Sequence, residues 1–406
     1  MAQMRETVNF NQSERFAEGW YWALRSRELK PGRVKPLRLM GRELAIYRGQ
    51  DGEVRALDAY CPHMGAHLAE GRVDGAGLRC FFHDWKFDGA GECVDIPALV
   101  EPVKACVRSW PVSERYGMIW LWTGPVARQP VPFPPELEHE QIDWSHGSHF
   151  VKECHPNVVM INAIDAHHFN TVHHLPVDLS FEVGQLNDNA STFTNTTRVP
   201  PSSALTRFIG RFYDGALTYA MSYWFGATGS VTLGPDFMHF YIVFALRMTE
   251  GGKTEGQTIL LTKRRPGPHG ALFNLAVLFA TKLVGNYFAR GDTRVFQTIR
   301  YDFKTPTKAD RAIIDFVHGV DRQASVTWGD WAPVASSQEL PSNAPEELPG
   351  ELRRHALPKA ESGLAAASCA APLPAPPSPP PTMQPSAAAD EPAAKSAEKP
   401  AAQAQA

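Results

Sequence analysis

Two short loops constrain this chain more than anything else in it. "CPHMGAH" (61–67) and "CFFHDWKF" (80–87) each hold a cysteine and a histidine, as Cys61-x-His63 and Cys80-x-x-His83, with sixteen residues between the pairs. The order is C, H, C, H. A structural zinc site pairs like with like, cysteines and then histidines, so zinc does not match. A disulfide scaffold fails on number, because six cysteines in 406 residues (61, 80, 93, 106, 154 and 369) are too few. Thiols left free and gathered in the first half fit a reducing compartment, so a cytoplasmic protein is expected.

The alternation has a chemical reason. In a Rieske [2Fe–2S] centre one iron is held by two cysteines and the other by two histidines, which raises the reduction potential. Cys61 and Cys80 are then expected on the inner iron, and His63 and His83 on the outer one. Pro62, Gly65, Gly71, Gly75 and Gly77 would let backbone amides approach the sulfurs. His67 has no counterpart in the second loop and reads as a hydrogen-bonded structural residue. Trp85 and Phe87 are expected to shield the cluster from water, and Cys93 and Cys106 to be small buried hydrophobes.

Around these loops, residues 15–125 carry short β-like runs such as "ELAIYRG" (43–49) and "GMIWLWTG" (117–124), which predict a small all-β domain. The Pro-rich stretch 124–138 reads as a connector. Residues 140–335 mix helix and strand. "FMHFYIVFALRMTE" (237–250) and "GQTILLTKRR" (256–265) predict two antiparallel strands, and 286–303 and 308–323 predict helices. The Pro/Ala/Ser segment 356–406 has almost nothing to bury and is expected to be disordered. A net charge of −3 offers no field for nucleic acid, and the polar N-terminus shows no secretory signal. The apolar run 271–289 is interrupted by Asn274, Thr281, Lys282 and Asn286. It is expected to be a buried or amphipathic core helix. A helix resting on a membrane, or lining the entrance for a greasy ligand, is the alternative.

A second constellation lies in "INAIDAHHFNTVHH", where Asp165, His168 and His173 stand as D-x2-H-x4-H. Two imidazoles plus one carboxylate from elsewhere make the facial triad of a mononuclear non-haem Fe(II) site. Five residues apart, His168 and His173 do not share one face of an unbroken helix, so the helix is expected to distort or end between them. A pairing of His167 with His174 is the chemical alternative. Asp165, three residues before His168, is expected to hydrogen-bond that imidazole. Asp292, followed by Val295, Phe296 and Ile299 at helical spacing, is the expected carboxylate ligand. Asp302 is the alternative, and Asp310, Asp315 and Asp321 read as solvated helix charges.

Over residues 15–330 the two motifs, in this order and separation, resemble the α-subunits of Rieske non-haem iron oxygenases. The resemblance implies an α+β chain: an N-terminal Rieske β-domain, then a helix-grip catalytic domain with a curved antiparallel sheet. It implies a [2Fe–2S] cluster on Cys61, His63, Cys80 and His83 and a catalytic iron on His168, His173 and Asp292. It also implies a homotrimer, in which Asp165 bridges electrons from a neighbour's cluster, because the two centres of one chain are too far apart. The family often has Gly after the second cluster histidine, where this chain has Asp84, and Glu-Asn before the bridging aspartate, where it has Ile161-Asn162. "HDW" and "GECVDIP" look most like the branch acting on steroids and sterols. The expected function is therefore a terminal oxygenase that uses O2 and electrons from NAD(P)H, through a separate reductase or ferredoxin. Monooxygenation of an apolar polycyclic substrate is expected ahead of dioxygenation. Oxidation of an aromatic ring or of an aryl oxygen or nitrogen is the alternative, and a pure electron carrier the different-class alternative.

Overall fold

Residues 9–100, 102–173, 180–197, 217–235 and 237–326 are described by a computed structural model. The segment 356–406, His174 and residues 205–216 lie outside them. Short strands build the first region, as its β-like runs predict. Arg42–Arg48 pairs antiparallel with Arg33–Leu39 and with Val54–Asp58, which also pairs with Ser109–Trp110. Met118–Trp122 lies between Val112–Arg115 and Trp20–Arg25 in a second sheet. A third sheet runs Arg72–Asp74, Gly77–Arg79, Lys86–Phe87, Cys93–Asp95, and the second cysteine–histidine loop joins its two middle strands.

The second region is built on a seven-stranded antiparallel sheet. Its order is Ile142–Lys152, Thr254–Lys263, Phe240–Met248, Thr228–Pro235, Leu217–Trp224, Ala190–Thr197 and Glu182–Asn187. Alternate side chains of a strand point to opposite faces. Tyr241, Val243 and Ala245 accordingly join a core with Trp20, Trp120, Trp122 and Trp224, while Ile242 and Phe244 face the other way. Burial on both faces is why "FYIVFALRM" reads as a nearly continuous apolar run. A register shift between His146 and His149 marks a bulge that bends the edge strand.

Four helices complete the described chain: α1 (Pro156–Asn162), α2 (Ala166–Thr171), α3 (Gly267–Thr298) and α4 (Arg311–Asp321). The apolar run at 271–289 and the helix expected over 286–303 are one helix, α3, and it stops before residues 301–303. Interior glycines at 270, 285 and 291 cost about 1 kcal/mol each relative to alanine, and packing on the sheet offsets that, with Leu278 against Ile242 and Leu260. Of the buried or amphipathic core helix expected there, the structure shows the amphipathic form. α3 buries Asn274, Val277, Leu278, Thr281 and Phe296 along one side, and Leu272, Leu275, Phe279, Leu283 and Tyr287 are each more than half exposed. The curved sheet and this helix make the helix-grip arrangement, so the chain is α+β.

The regions also share core. Leu39, Leu44, Ile46 and Trp110 of the first share one apolar cluster with Met160, Phe193, Tyr223 and Phe316 of the second. The connector is also packed rather than loose. Val131, Phe133 and Leu137 are buried, and the Trp224 indole N–H donates to the Phe133 carbonyl at 3.3 Å.

Candidate functional site

The two cysteine–histidine loops come together at the end of the first region. Cys61 and Cys80 are buried among Ala45, Leu57, Leu68 and Phe87, whereas His63 and His83 stand exposed at the loop tips. Tight turns set this up, with the Gly65 N–H donating to the Cys61 carbonyl at 2.9 Å and the Asp84 N–H to the Cys80 carbonyl at 3.1 Å. Backbone amides of His63 and Met64 donate to the Cys61 sulfur, the approach that the surrounding glycines and proline suggest. The rings of His63 and His83 are 4.5 Å apart, and Trp85 stacks flat on His63 at 4.6 Å.

Asp84 adopts φ 59°, the left-handed region where glycine is favoured. Aspartate tolerates that region better than most residues, and the Arg72 guanidinium bonds its carboxylate at 2.9 Å, holding the carboxyl below its usual range. His67 is structural, as expected. It caps the turn Leu68–Glu70 by accepting from the Ala69 N–H. Burial pushes the Cys61 thiol up to about 11, so a thiolate there needs a cation beside it. Dry sulfurs below and wet imidazoles above fit the two unlike irons of a Rieske cluster.

The second set forms where a helix breaks. α1 ends at Asn162, Asp165 caps α2, and α2 ends at Thr171, so His168 and His173 reach one point from different backbone directions. The Asp165 carboxylate accepts from the backbone N–H of His167 and His168. Its expected bond to the His168 ring is therefore corrected: the Asp165 backbone carbonyl accepts from His168 Nδ1–H, at 2.6 Å. A carbonyl only accepts, so that bond fixes the tautomer and leaves Nε2 with its lone pair. α3 brings Asp292 to the same point, its Oδ1 3.0 Å from His173 Nε2 and 3.8 Å from His168 Nε2. One ligand atom from each of the three lies within 4.8 Å of the others. Asp292 Oδ1 is buried and accepts no hydrogen bond. A buried, unsatisfied carboxylate oxygen facing two imidazole nitrogens fits a divalent iron. Asp302 pairs instead with Lys304 and is exposed. His167 is exposed on the far side of α2.

Comparison with known proteins agrees with this geometry. The Rieske [2Fe-2S] domain family matches residues 19–111, which hold the first ligand set. The chain is 38% identical over 163 residues to cholesterol 7-desaturase of Bombyx mori, covering 39% of this chain and 36% of that protein. Over 181 residues it is 35% identical to the oxygenase component of a 3-ketosteroid-9-alpha-monooxygenase from Rhodococcus rhodochrous, covering 43% and 47%. The chain therefore carries a Rieske [2Fe–2S] domain and is similar to oxygenase components over part of its length.

Aminopyrrolnitrin oxygenase PrnD of Pseudomonas fluorescens is 32% identical over 239 residues, covering 56% of this chain and 63% of that one. The chain thus spans less than two thirds of the length of these relatives. NdmB of Pseudomonas putida CBB5 shares the fold, with a TM-score of 0.53 at 17% identity, covering 74% of this chain and 88% of that one. The matched Rieske domain implies the [2Fe–2S] cluster, and the grouping of His168, His173 and Asp292 suits a mononuclear non-haem iron.

His168, His173 and Asp292 line a cavity of about 310 Å³. Most of its wall is apolar, including Val159, Phe169, Val231, Leu233, Ile242 and Leu260. Rings pack against the ligands, Phe169 on His168 at 4.4 Å and Phe288 on His173 at 4.9 Å. Lys152 is the cation of the inner wall, with the exposed Lys282 and Arg290 at the cavity's edge. It donates to Thr293 Oγ1 at 2.9 Å, and burial pushes its ammonium down from the usual value. Nothing in the sequence singled out Lys152, and Gly291 was missed as well. A Cβ on Gly291 would sit 3.0 Å from His173 Nδ1, a tight contact that asks the imidazole to give by a few tenths of an ångström. The one clue was its place beside Asp292 in "ARGDTR".

Proposed function

We propose that the chain is the terminal oxygenase of an O2-dependent system that hydroxylates or oxidatively demethylates an apolar, sterol- or steroid-like substrate. The observation that carries this reading is the convergence of His168, His173 and Asp292 in the wall of one apolar cavity. When bound, the cluster supplies single electrons and the mononuclear iron the site of O2 activation. The chain's own residues do the rest. Phe169 and Phe288 keep water from the histidines, the Asp165 carbonyl orients His168, and the aliphatic wall receives the C–H-bearing face of the substrate. Hydroxylation then uses O2, two electrons and two protons, leaving one oxygen atom in the product and one in water. Names of the steroid-acting relatives support the substrate class. Oxidation of an aryl nitrogen or oxygen is the second reading, favoured by the likeness to aminopyrrolnitrin oxygenase PrnD. A pure electron carrier has no use for a buried carboxylate aimed at two histidines.

Electron delivery shapes the rest of the proposal. Met64, Phe81 and Phe82, all exposed, surround His63 and His83. An apolar collar at the electron exit suits a second copy of the chain in a homotrimer, with Asp165 on the receiving side, and a reductase or ferredoxin as donor.

His168→Ala tests the site. The wild type should hold three irons per chain and the variant two, with the cluster's visible spectrum unchanged and turnover abolished. Full product formation by the variant would refute the assignment. Reduced enzyme exposed to O2 with sterols, steroids and arenes, followed by mass spectrometry, tests the substrate class. Product from arenes alone sinks the sterol reading.

A further inference from the structure

We propose that the outer face of α3 docks on an anionic lipid surface. Leu272, Leu275, Phe279, Leu283 and Tyr287 follow one another at intervals of three or four residues, so they form one stripe along the helix. That stripe is about 22 Å long at 1.5 Å per residue. It lies opposite the side that grips the sheet. α3 is long and apolar enough to cross a membrane by length and composition. Its inner side, however, is committed to protein. Asn274 donates to Asp143 and accepts from Arg265, and Leu278 packs on the sheet. A helix held in this way lies on a bilayer rather than through it.

Charge names the occupant. Between Pro266 and Asp292 the helix carries no acidic residue. Continuing the stripe by the same spacing reaches Arg290 and then Arg294, both exposed, and Lys282 flanks it. None of these three cations forms an ion pair with any described residue. An apolar stripe ending in unpaired cations complements acyl chains beneath anionic headgroups. Trp144, partly exposed beside Leu275 in a shallow groove, supplies an amphipathic ring at the same level. The exposed residues Lys282 and Arg290 also line the substrate cavity, so the cavity reaches the surface at the edge of the stripe. Entry of a lipid-soluble substrate from the bilayer would follow, and that clause rests on the proposed function. The docking itself does not.

The test needs no turnover. The full-length holoprotein is floated with vesicles of phosphatidylcholine alone, or of phosphatidylcholine with phosphatidylglycerol. It should float with the anionic vesicles and far less with the neutral ones, and added salt should release it. Leu275→Glu/Phe279→Glu should abolish flotation, and Arg290→Gln/Arg294→Gln should weaken it at least about tenfold. An unchanged cluster spectrum and unfolding temperature would show that the variants are folded. Absence of binding to anionic vesicles, or binding that both variants retain, overturns the proposal. So does light scattering that shows Leu275→Glu/Phe279→Glu splitting an oligomer, because a second copy would then cover the stripe.

Discussion

Gly291 stands where a single methyl group decides whether the mononuclear site closes. An alanine there would press on Nδ1 and Cε1 of His173, both 3.0 Å away, and on Val172 Cγ1 at 3.1 Å. The imidazole would have to shift by a few tenths of an ångström relative to the other two ligand atoms. We expect Gly291→Ala to weaken retention of the mononuclear iron by roughly 10- to 100-fold, the range found when groups supporting a metal ligand are changed. Iron per chain after dialysis against a chelator measures this, with the Rieske absorption as the internal control. Equal retention by variant and wild type would disprove the steric role. The ligands were legible in the sequence because metal chemistry demands few residue types at short spacings, so Cys61, His63, Cys80, His83, His168 and His173 could be read directly. Asp292 was legible only as one of two candidates, since nothing local distinguishes a ligand carboxylate from Asp302. The roles of Gly291 and of the Asp165 carbonyl were not legible. Gly291 meets His173 only through segments far apart in sequence, and the Asp165 carbonyl, though three residues from His168, faces its ring only because the helix breaks there.

The break between α1 and α2 is built from caps, and one of them titrates. His155 opens α1, accepting from the Asn157 N–H through Nδ1 and donating from Nε2 to the Gln12 carbonyl, at 3.1 Å each. Burial pushes its imidazole down to about 4, against about 6.5 in an unfolded chain. A folded pKa below the unfolded one gives a contribution complete above pH 6.5 and lost as pH falls toward 4. Over that whole window it amounts to roughly 3 kcal/mol. Urea unfolding followed from neutral pH to about pH 5 should therefore show falling stability, and His155→Asn, which caps without titrating, should flatten the slope. Identical slopes would exclude His155 as the cause. The end of the helix between His168 and His173 could be foreseen, because five-residue spacing does not fit an unbroken helix. The continuity of α3 could not. Its glycines and polar residues read locally as interruptions, and only the sheet beneath Asn274, Leu278 and Thr281 shows why they are kept.

One apolar cluster joins the sheet of Arg33–Leu39, Arg42–Arg48 and Val54–Asp58, which leads into the first cysteine–histidine loop, to the strands of the large sheet. The regions therefore cannot swing apart to bring a chain's own cluster and its own triad together without exposing residues such as Leu44, Ile46 and Phe316. With its cluster histidines facing outward, the chain on the proposed reading delivers electrons across a surface. The surface around His63 and His83 is apolar, with Met64, Phe81 and Phe82 all more than half exposed and Phe82 within 3.9 Å of the His83 ring. If a second copy covers that collar, Phe81→Ser/Phe82→Ser should weaken self-association by roughly tenfold or more, as loss of two aromatic anchors at about 1 kcal/mol each or above would do. Light scattering across a dilution series reads that change. Reduced variant mixed with O2 and substrate should re-oxidise its cluster more slowly than wild type when dilute, and recover as concentration rises. A structural defect inside one chain would not show that recovery. A variant that stays a monomer at every concentration, yet passes electrons at the wild-type rate, would place the electron path within one chain and end the trimer proposal.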